Sequence, residues 1–223
     1  MQEDWFIYLN GIATNKGAGQ CRLYDGDIVH MDFHNWTFRP YITALVGHVP
    51  EPFSHGFEGQ TRPTIVTYDA EFEELAAGLR TKIEDEGLIG VSLRSMQELT
   101  NSERKTSNLI IIGGPDNDLV SEMNSVWNRL GFFIHFEEGQ VVVYDENGDA
   151  DSRYGAGTGV IQMSQSPWNP KGTGVCENVV LMVSGVDTAG VISAVESFID
   201  GGDELRYAFA AAVVDGAIVR VPR

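Results

Sequence analysis

The sequence predicts an α/β protein in which a small β-rich N-terminal part precedes a mixed, mostly parallel sheet carrying about three helices. Three observations carry this. Residues 4–33 read as two strands joined through an Asn10-Gly11 turn and a Gly-rich loop. Leu109-Ile110-Ile111-Ile112 and residues 179–183 are continuous apolar runs, the pattern of strands covered on both faces. Between and after these runs, apolar residues recur at helical spacing. Alternating strands and helices imply right-handed crossovers and parallel pairing, with hairpins added at an edge.

The N-terminal part is expected over residues 1–62 and the α/β part over 63–223. Asn10-Gly11 supplies the two positive φ angles that a tight turn needs, and Asp25-Gly26 is expected to do the same at the next bend. After Trp36 come prolines at 40, 50, 52 and 63, which argue against a helix, while interspersed aromatics suggest a packed loop. Ile65-Val66-Thr67-Tyr68 reads as a strand. Asp69 reads as the cap of a helix with Phe72, Leu75, Ala76, Leu79 and Ile83 on its apolar face, stopped by Gly87. Residues 88–93 read as a short strand and residues 100–107 as a polar connection. Gly113-Gly114-Pro115-Asp116 turns the next strand into a helix with Leu119, Met123, Val126, Trp127 and Leu130 on its buried side. Residues 132–136 and 140–144 form a hairpin, and residues 145–157 read as an acidic loop. Strands follow at 159–163 and 179–183, separated by a loop. Asp187 or Thr188 caps a third helix with Val191, Ile192, Val195, Phe198 and Ile199 inside. Residues 207–214 and 217–221 flank Asp215-Gly216 as a terminal hairpin, with a helix left open for the alanine-rich first half.

The net charge of −17, from 32 acidic and 15 basic residues, excludes nucleic acid as a partner, because phosphate binding needs a basic surface. It also opposes docking on anionic membranes. An acidic surface with four lysines suits a secreted or salt-adapted protein, or is simply well solvated. No apolar run reaches the roughly 18 residues of a membrane span. Met1-Gln2-Glu3-Asp4 is acidic where a secretory leader is basic, so none is expected there. Cys21 and Cys176 lack CxxC spacing. They either pair across the two halves or remain separate thiols.

Trp5, Tyr8, Asn10-Gly11, Gly17-Ala18, Leu23 and Asp25-Gly26-Asp27 occur in that order at short spacing. This succession resembles the C-terminal domain of transcobalamin-like proteins, the DUF4430 family. Strands that usually precede the Trp in that family are missing here. The segment GHVPEPFSHGFEG extends the likeness to about Pro63. The resemblance implies an extracytoplasmic, β-grasp-like module, in some members used against corrinoids. It brings no cobalt ligand with it. NLIIIGGPDNDLV and VVLMVSGVDTAGVISAVESF, within residues 108–200, are similar to a module of archaeal surface-layer proteins. There a strand ending in Gly-Gly-Pro and a later strand ending in Gly-x-Asp before a helix recur together.

His30, Asp32 and His34 alternate in VHMDFH, so on a strand they share one face while Val29, Met31 and Phe33 fill the other. Two imidazoles and a carboxylate suit Zn²⁺, Cu²⁺ or Ni²⁺, and a neutral imidazole suits a corrinoid cobalt. The alternative is a solvated strand face. Trp36 beside this face offers an aromatic wall to a flat ring. Trp5, Tyr8 and Trp168 are the other aromatic ligand-binding candidates, although Trp168 serves equally as a pin for its loop. His48, Glu51 and His55 complete a metal site with His30 or His34, or are ordinary loop polars. Asp145, Glu146, Asn147, Asp149 and Asp151 have the composition of a Ca²⁺ loop without its glycine spacing or distal Glu. The Gly113-Gly114-Pro115 turn has the position of a phosphate cradle, but Pro115 removes a donor and Asp116 and Asp118 repel anions. Ser184 lacks a nucleophile elbow, and no His follows His135, so a Ser–Asp–His order is excluded and no enzymatic activity is expected. The leading expectation is an extracytoplasmic protein that binds a corrinoid or a transition metal near His30, His34 and Trp36. The alternative is a structural cell-surface or surface-layer-associated subunit. It would self-associate, or join other surface proteins, by completing its β module with a neighbour's strand.

Overall fold

The computed structural model of the chain describes residues 2–39 and 41–222. Among them are thirteen strands in three sheets and five α-helices, a mixed α/β fold. No helix of the described residues is long and apolar enough to cross a membrane.

β1 (Glu3–Leu9) turns at Asn10-Gly11, where φ is 52° and 75°, into the short β2 (Ile12–Ala13). β3 (Val29–Asn35) returns along the other side of β1, and the order β2-β1-β3 is antiparallel throughout. At the second bend only Gly26 takes a positive φ. Asp27 does the bracing there, accepting from Tyr24 N–H and from the Asn10 amide at 2.8 and 2.7 Å. Asn10, fully buried, also accepts from Ile28 N–H and donates to the Gly56 carbonyl. One side chain thus ties the first turn, the start of β3 and the loop beyond it. The Pro-rich segment holds one helical turn, α1 (Glu51–Ser54), which the prolines were expected to forbid. Pro52 lies in its first turn, where a missing N–H costs nothing.

The body begins with β4 (Thr64–Tyr68), a 3-10 turn and α2 (Glu73–Asp85). β5 (Ser92–Ser95), α3 (Asn101–Thr106), β6 (Asn108–Gly113) and α4 (Asp118–Ser125) follow. β7 (Ile134–Glu137), β8 (Gln140–Tyr144) and β9 (Ala150–Tyr154) form a separate antiparallel sheet. The chain then enters β10 (Gly159–Gln165), β11 (Val179–Gly185), α5 (Thr188–Asp200), and the terminal hairpin of β12 (Ala210–Val214) and β13 (Ala217–Val221). The central sheet has the order β13-β12-β10-β11-β6-β4-β5. Its β11-β6-β4-β5 half is parallel, and its β11-β10-β12-β13 half is antiparallel. The mostly parallel sheet expected from the sequence is thus a mixed one, with β10 antiparallel between β11 and β12.

Two stretches differ from expectation. Residues 100–107 contain α3, nucleated by a Thr100–Glu103 capping box instead of an apolar stripe. Residues 145–157 contain β9, an exposed strand whose polar sequence hides its pairing with β8. Asp69 does not cap with its side chain; its carboxylate receives the Asn117 amide at 2.6 Å, and Asn117 caps α4. α4 ends at Ser125, so Leu130 is buried from the turn that follows.

The central strands bury alternate residues in two cores. Val66, Ile110, Ile112, Leu181 and Val183 pack under α2 and α5. Ile65, Leu109, Ile111, Val180 and Met182 pack under α4 and the β7–β8 hairpin. The N-terminal strands feed both, with Leu9 and Ile12 in the first and Tyr8 and Ala13 in the second.

Arg39 clamps the N-terminal segment to the β7–β9 side. Its guanidinium lies 3.6 Å from the Phe38 ring centre and 4.4 Å from that of Trp127, with Phe133 and Tyr144 further out. Its Nε donates to Phe132 O at 2.8 Å, and burial pulls its pKa down to about 10. Arg39→Ala would empty an aromatic box and should cost about 2–4 kcal/mol. Arg39→Met, which refills the box, should cost less. Urea unfolding of the two variants checks the order.

Candidate functional site

The hairpin of β1 and β3 is built the other way round from expectation. Cross-strand partners in an antiparallel pair share a face. Tyr8 pairs with His30, Phe6 with Asp32, and Asp4 with His34. Tyr8 is fully buried in the second core, so His30, Asp32 and His34 must turn inward with it. Val29, Met31 and Phe33 therefore face solvent instead of filling a covered side. With Trp5 they are 46%, 55%, 52% and 59% exposed, and half-buried Ile7 stands beside Met31 on the same face. Trp5 rests against Phe33 at 5.2 Å between ring centres. Leu23, Tyr24 and Ile28, from the loop before β3, are exposed as well. These side chains form an exposed apolar stripe on an otherwise acidic protein.

The same hairpin has an open edge. Asn10 N–H bonds Ile28 O and Trp36 N–H bonds Gln2 O, both at 2.8 Å. These bonds set the parity of the ladder. Even-numbered residues of β3 exchange hydrogen bonds with β1. Val29, Met31, Phe33 and Asn35 point their N–H and C=O groups away from it. β3 is the outer strand of its sheet, and no strand among the described residues pairs with that side.

On the inward face, His30 and His48 meet. His48 Nε2 lies 3.2 Å from His30 Nδ1, with the rings edge to face. Tyr207 and Phe209, from the segment leading into β12, border the His30 ring. They also line a cleft of ≈ 540 Å³ whose other wall is residues 218–222. Burial, and then the neighbouring His30, pull the His48 pKa down to about 4. Burial lowers that of His30 too, partly offset by Asp32. Both imidazoles are therefore neutral at pH 7, the form that ligates metals. Beside them the Tyr8 hydroxyl is buried without a hydrogen-bond partner, and desolvation raises its pKa strongly.

The remaining candidates stand apart. His34 bonds the Asp32 carboxylate through Nδ1 and stacks on Phe6 at 4.1 Å, while its Nε2 is buried without a partner. His55 leans on Ser54 Oγ beneath Gly26, where an added Cβ would come within 2.8 Å of Nε2. Among the described residues no three His, Cys, Asp or Glu groups gather closely enough to hold a metal ion. The five proposed ligands thus divide into a His30–His48 pair, an Asp32–His34 pair and a solitary His55. Trp36 is half-buried at the end of β3. Trp168 gives its indole N–H to Glu122 at 2.6 Å and lies under Arg104, so it pins its loop. Trp5 lies on the outer face, away from the imidazoles. Asp145 spends its carboxylate on the amides of Asn147 and Asp149 inside its own loop. Cys21 and Cys176 are both free; Cys176 is buried against Ala13 O.

Open α/β sheets usually take ligands at the carboxyl ends of their parallel strands. Here that crevice, ≈ 440 Å³, is lined by Asp69, Glu71, Asp116 and Asp187. Asp69 is engaged by Asn117, and Asp187 by the amides of Gly157 and Gly190. Gly114, Asn117 and Thr188 line it as well, but the four carboxylates oppose an anion. Tyr207 and Phe209 carry no local signal of this role, because they reach His30 from the far end of the sequence.

No family model matches the chain, and no curated protein matches its sequence.

The unfolded chain takes up a proton on His48 near pH 6.5, whereas the folded chain refuses it until about pH 4. Stability should therefore fall as pH drops through this window, by about 3 kcal/mol at its foot. His48→Gln should flatten that part of the stability–pH curve measured by thermal unfolding.

Proposed function

We propose that the chain is a non-enzymatic assembly module of an extracytoplasmic surface structure, which docks through the outer face and open edge of its N-terminal sheet. The observation that carries this reading is the coincidence of two features on β3. The residues whose side chains form the exposed apolar stripe, Val29, Met31 and Phe33, are also those whose backbone groups are unpaired. An added strand gains hydrogen bonds and apolar contacts from the same positions, as in other cases of β-augmentation. Edge strands are commonly blunted by lysine, proline, a bulge or an inward charge; β3 carries none of the first three, and its one carboxylate, Asp32, is held by His34. The likeness of residues 5–27 to transcobalamin-like domains and of residues 108–200 to surface-layer modules supports an extracytoplasmic setting. The experiment is reattachment to envelopes of the cells that make the protein. A Trp5→Ser/Phe33→Thr double variant should keep the parent melting temperature and pellet with envelopes at least about tenfold less. Equal pelleting of variant and parent would remove the reading.

A second reading, a transition-metal or corrinoid binder, is favoured by one observation: neutral imidazole nitrogens of His30 and His48 stand 3.2 Å apart beside a cleft. That separation suits two ligands of one tetrahedral ion. Titration with Zn²⁺ or Ni²⁺ in a calorimeter, and with cobalamin by visible absorption, tests it. His48→Gln should abolish any heat or spectral change. A parent protein that gives neither would end it.

A further inference from the structure

The partner that fits the open edge best is a second copy of this chain. This rests on the docking function just proposed and goes further, because it names the occupant and the register.

We infer that β3 pairs antiparallel with β3 of a second subunit about a two-fold axis through Met31. An isologous contact requires a surface complementary to itself, and the sequence of β3 meets this in one register. The outward backbone groups belong to odd-numbered residues, so the new hydrogen-bonded pairs must join odd residues to odd residues. With Met31 on the axis, Val29 lies opposite the partner's Phe33 and Met31 opposite the partner's Met31. Each exposed apolar side chain then gains an apolar neighbour. On the inward face the same register sets His30 beside the partner's Asp32 and so keeps the two Asp32 carboxylates apart. Moving the axis to Asp32 would place the two Asp32 carboxylates directly opposite each other and Val29 against the partner's Asn35. That arrangement costs both an apolar pair and a like-charge contact. Charge and apolarity therefore select one register from a strand that offers several.

Pairing joins the two three-stranded sheets into one, with order β2-β1-β3 and then its mirror sequence in the partner. Trp5, Ile7, Val29, Met31 and Phe33 of both subunits become a single apolar platform, the surface on which a further surface protein would settle. Each subunit carries a net charge of −17, and this repulsion opposes the contact. Salt must therefore promote the dimer. At about 1 M ionic strength the screening length falls to about 3 Å, and the apolar and hydrogen-bonding contributions act unopposed.

Sedimentation equilibrium on the full chain, over a wide protein range at about 0.15 M and about 1 M NaCl, tests this. The expected result is a reversible monomer–dimer equilibrium that tightens with salt. Met31→Lys sets two ammonium groups opposite each other at the axis and should raise the dissociation constant about tenfold or more. Because Met31 is exposed, the variant should retain the parent's melting temperature. The register is read by cysteine oxidation in a Cys21→Ser background. Residues directly opposite in a hydrogen-bonded antiparallel pair have Cα atoms about 5.5 Å apart, within disulfide reach. Met31→Cys should cross-link to a dimer under mild oxidant, whereas Phe33→Cys alone should not. A monomer at every concentration and salt, or a dimer that Met31→Lys leaves intact, overturns the proposal. So does a dimer linked by Phe33→Cys and not by Met31→Cys. If the isolated chain stays monomeric while Trp5→Ser/Phe33→Thr still loses envelope binding, the second copy is eliminated and surface docking stands. If a Met31-centred dimer forms and envelope binding is unaffected, docking fails and the dimer stands.

Discussion

The N-terminal half of this protein depends on where one phenol ring points. Tyr8 is buried to the last atom in the core beneath β1. Pairing between β1 and β3 then leaves no freedom: the partner of an inward residue is inward. His30, Asp32 and His34 follow Tyr8 and Phe6 under the sheet, and Trp5, Ile7, Val29, Met31 and Phe33 are turned out. A slip of one residue would restore an ordinary hairpin, polar outside and apolar inside. It is prevented by Asn10, whose amide and carbonyl hold Asp27, Ile28 and Gly56 in place at the head of β3. The apolar face is therefore enforced by the hydrogen bonds of the turn that opens the sheet.

The body provides the ground against which this sheet is held. β6 and β11 are covered on both sides, and their alternate side chains feed two separate cores. Arg39 links the segment after β3 to the β7–β9 side through stacked rings and a carbonyl bond. Tyr207 and Phe209, leading into the terminal hairpin, close the underside of β3 around His30. The N-terminal sheet and the segment leading into β12 thus meet at the histidine pair. In the crevice that the parallel half would normally offer to a ligand, Asp69 is engaged by Asn117 and Asp187 by main-chain amides.

Much of this was legible in residue order. The strands around Ile110 and Leu181, the Asn10-Gly11 turn, the Asp187 cap and the hairpin at Asp215-Gly216 follow from apolar runs and turn residues alone. α3 was missed because its signal is a Thr100–Glu103 cap and not an apolar stripe. β9 was missed because a two-sided exposed strand has no pattern to read. The alternation of VHMDFH was plain, and so was the division of its residues into two faces. Which face turned inward was not, since β1 is apolar on both sides and only the three-dimensional packing of Tyr8 decides. The meeting of His30 with His48 was open as one of several combinations; the stacking of His34 on Phe6 and the place of His55 beside Gly26 have no signal in spacing.

The buried Asn10 has a chemical consequence as well. An Asn followed by Gly is the dipeptide most prone to spontaneous loss of its side-chain amide, through attack by the next main-chain nitrogen. In this protein that amide donates to Asp27 and Gly56 and its carbonyl accepts from Ile28, all out of water. The reaction needs the side chain to swing free, and folding forbids the swing. The turn that starts the chain is thereby guarded against slow ageing for as long as the hairpin stays closed.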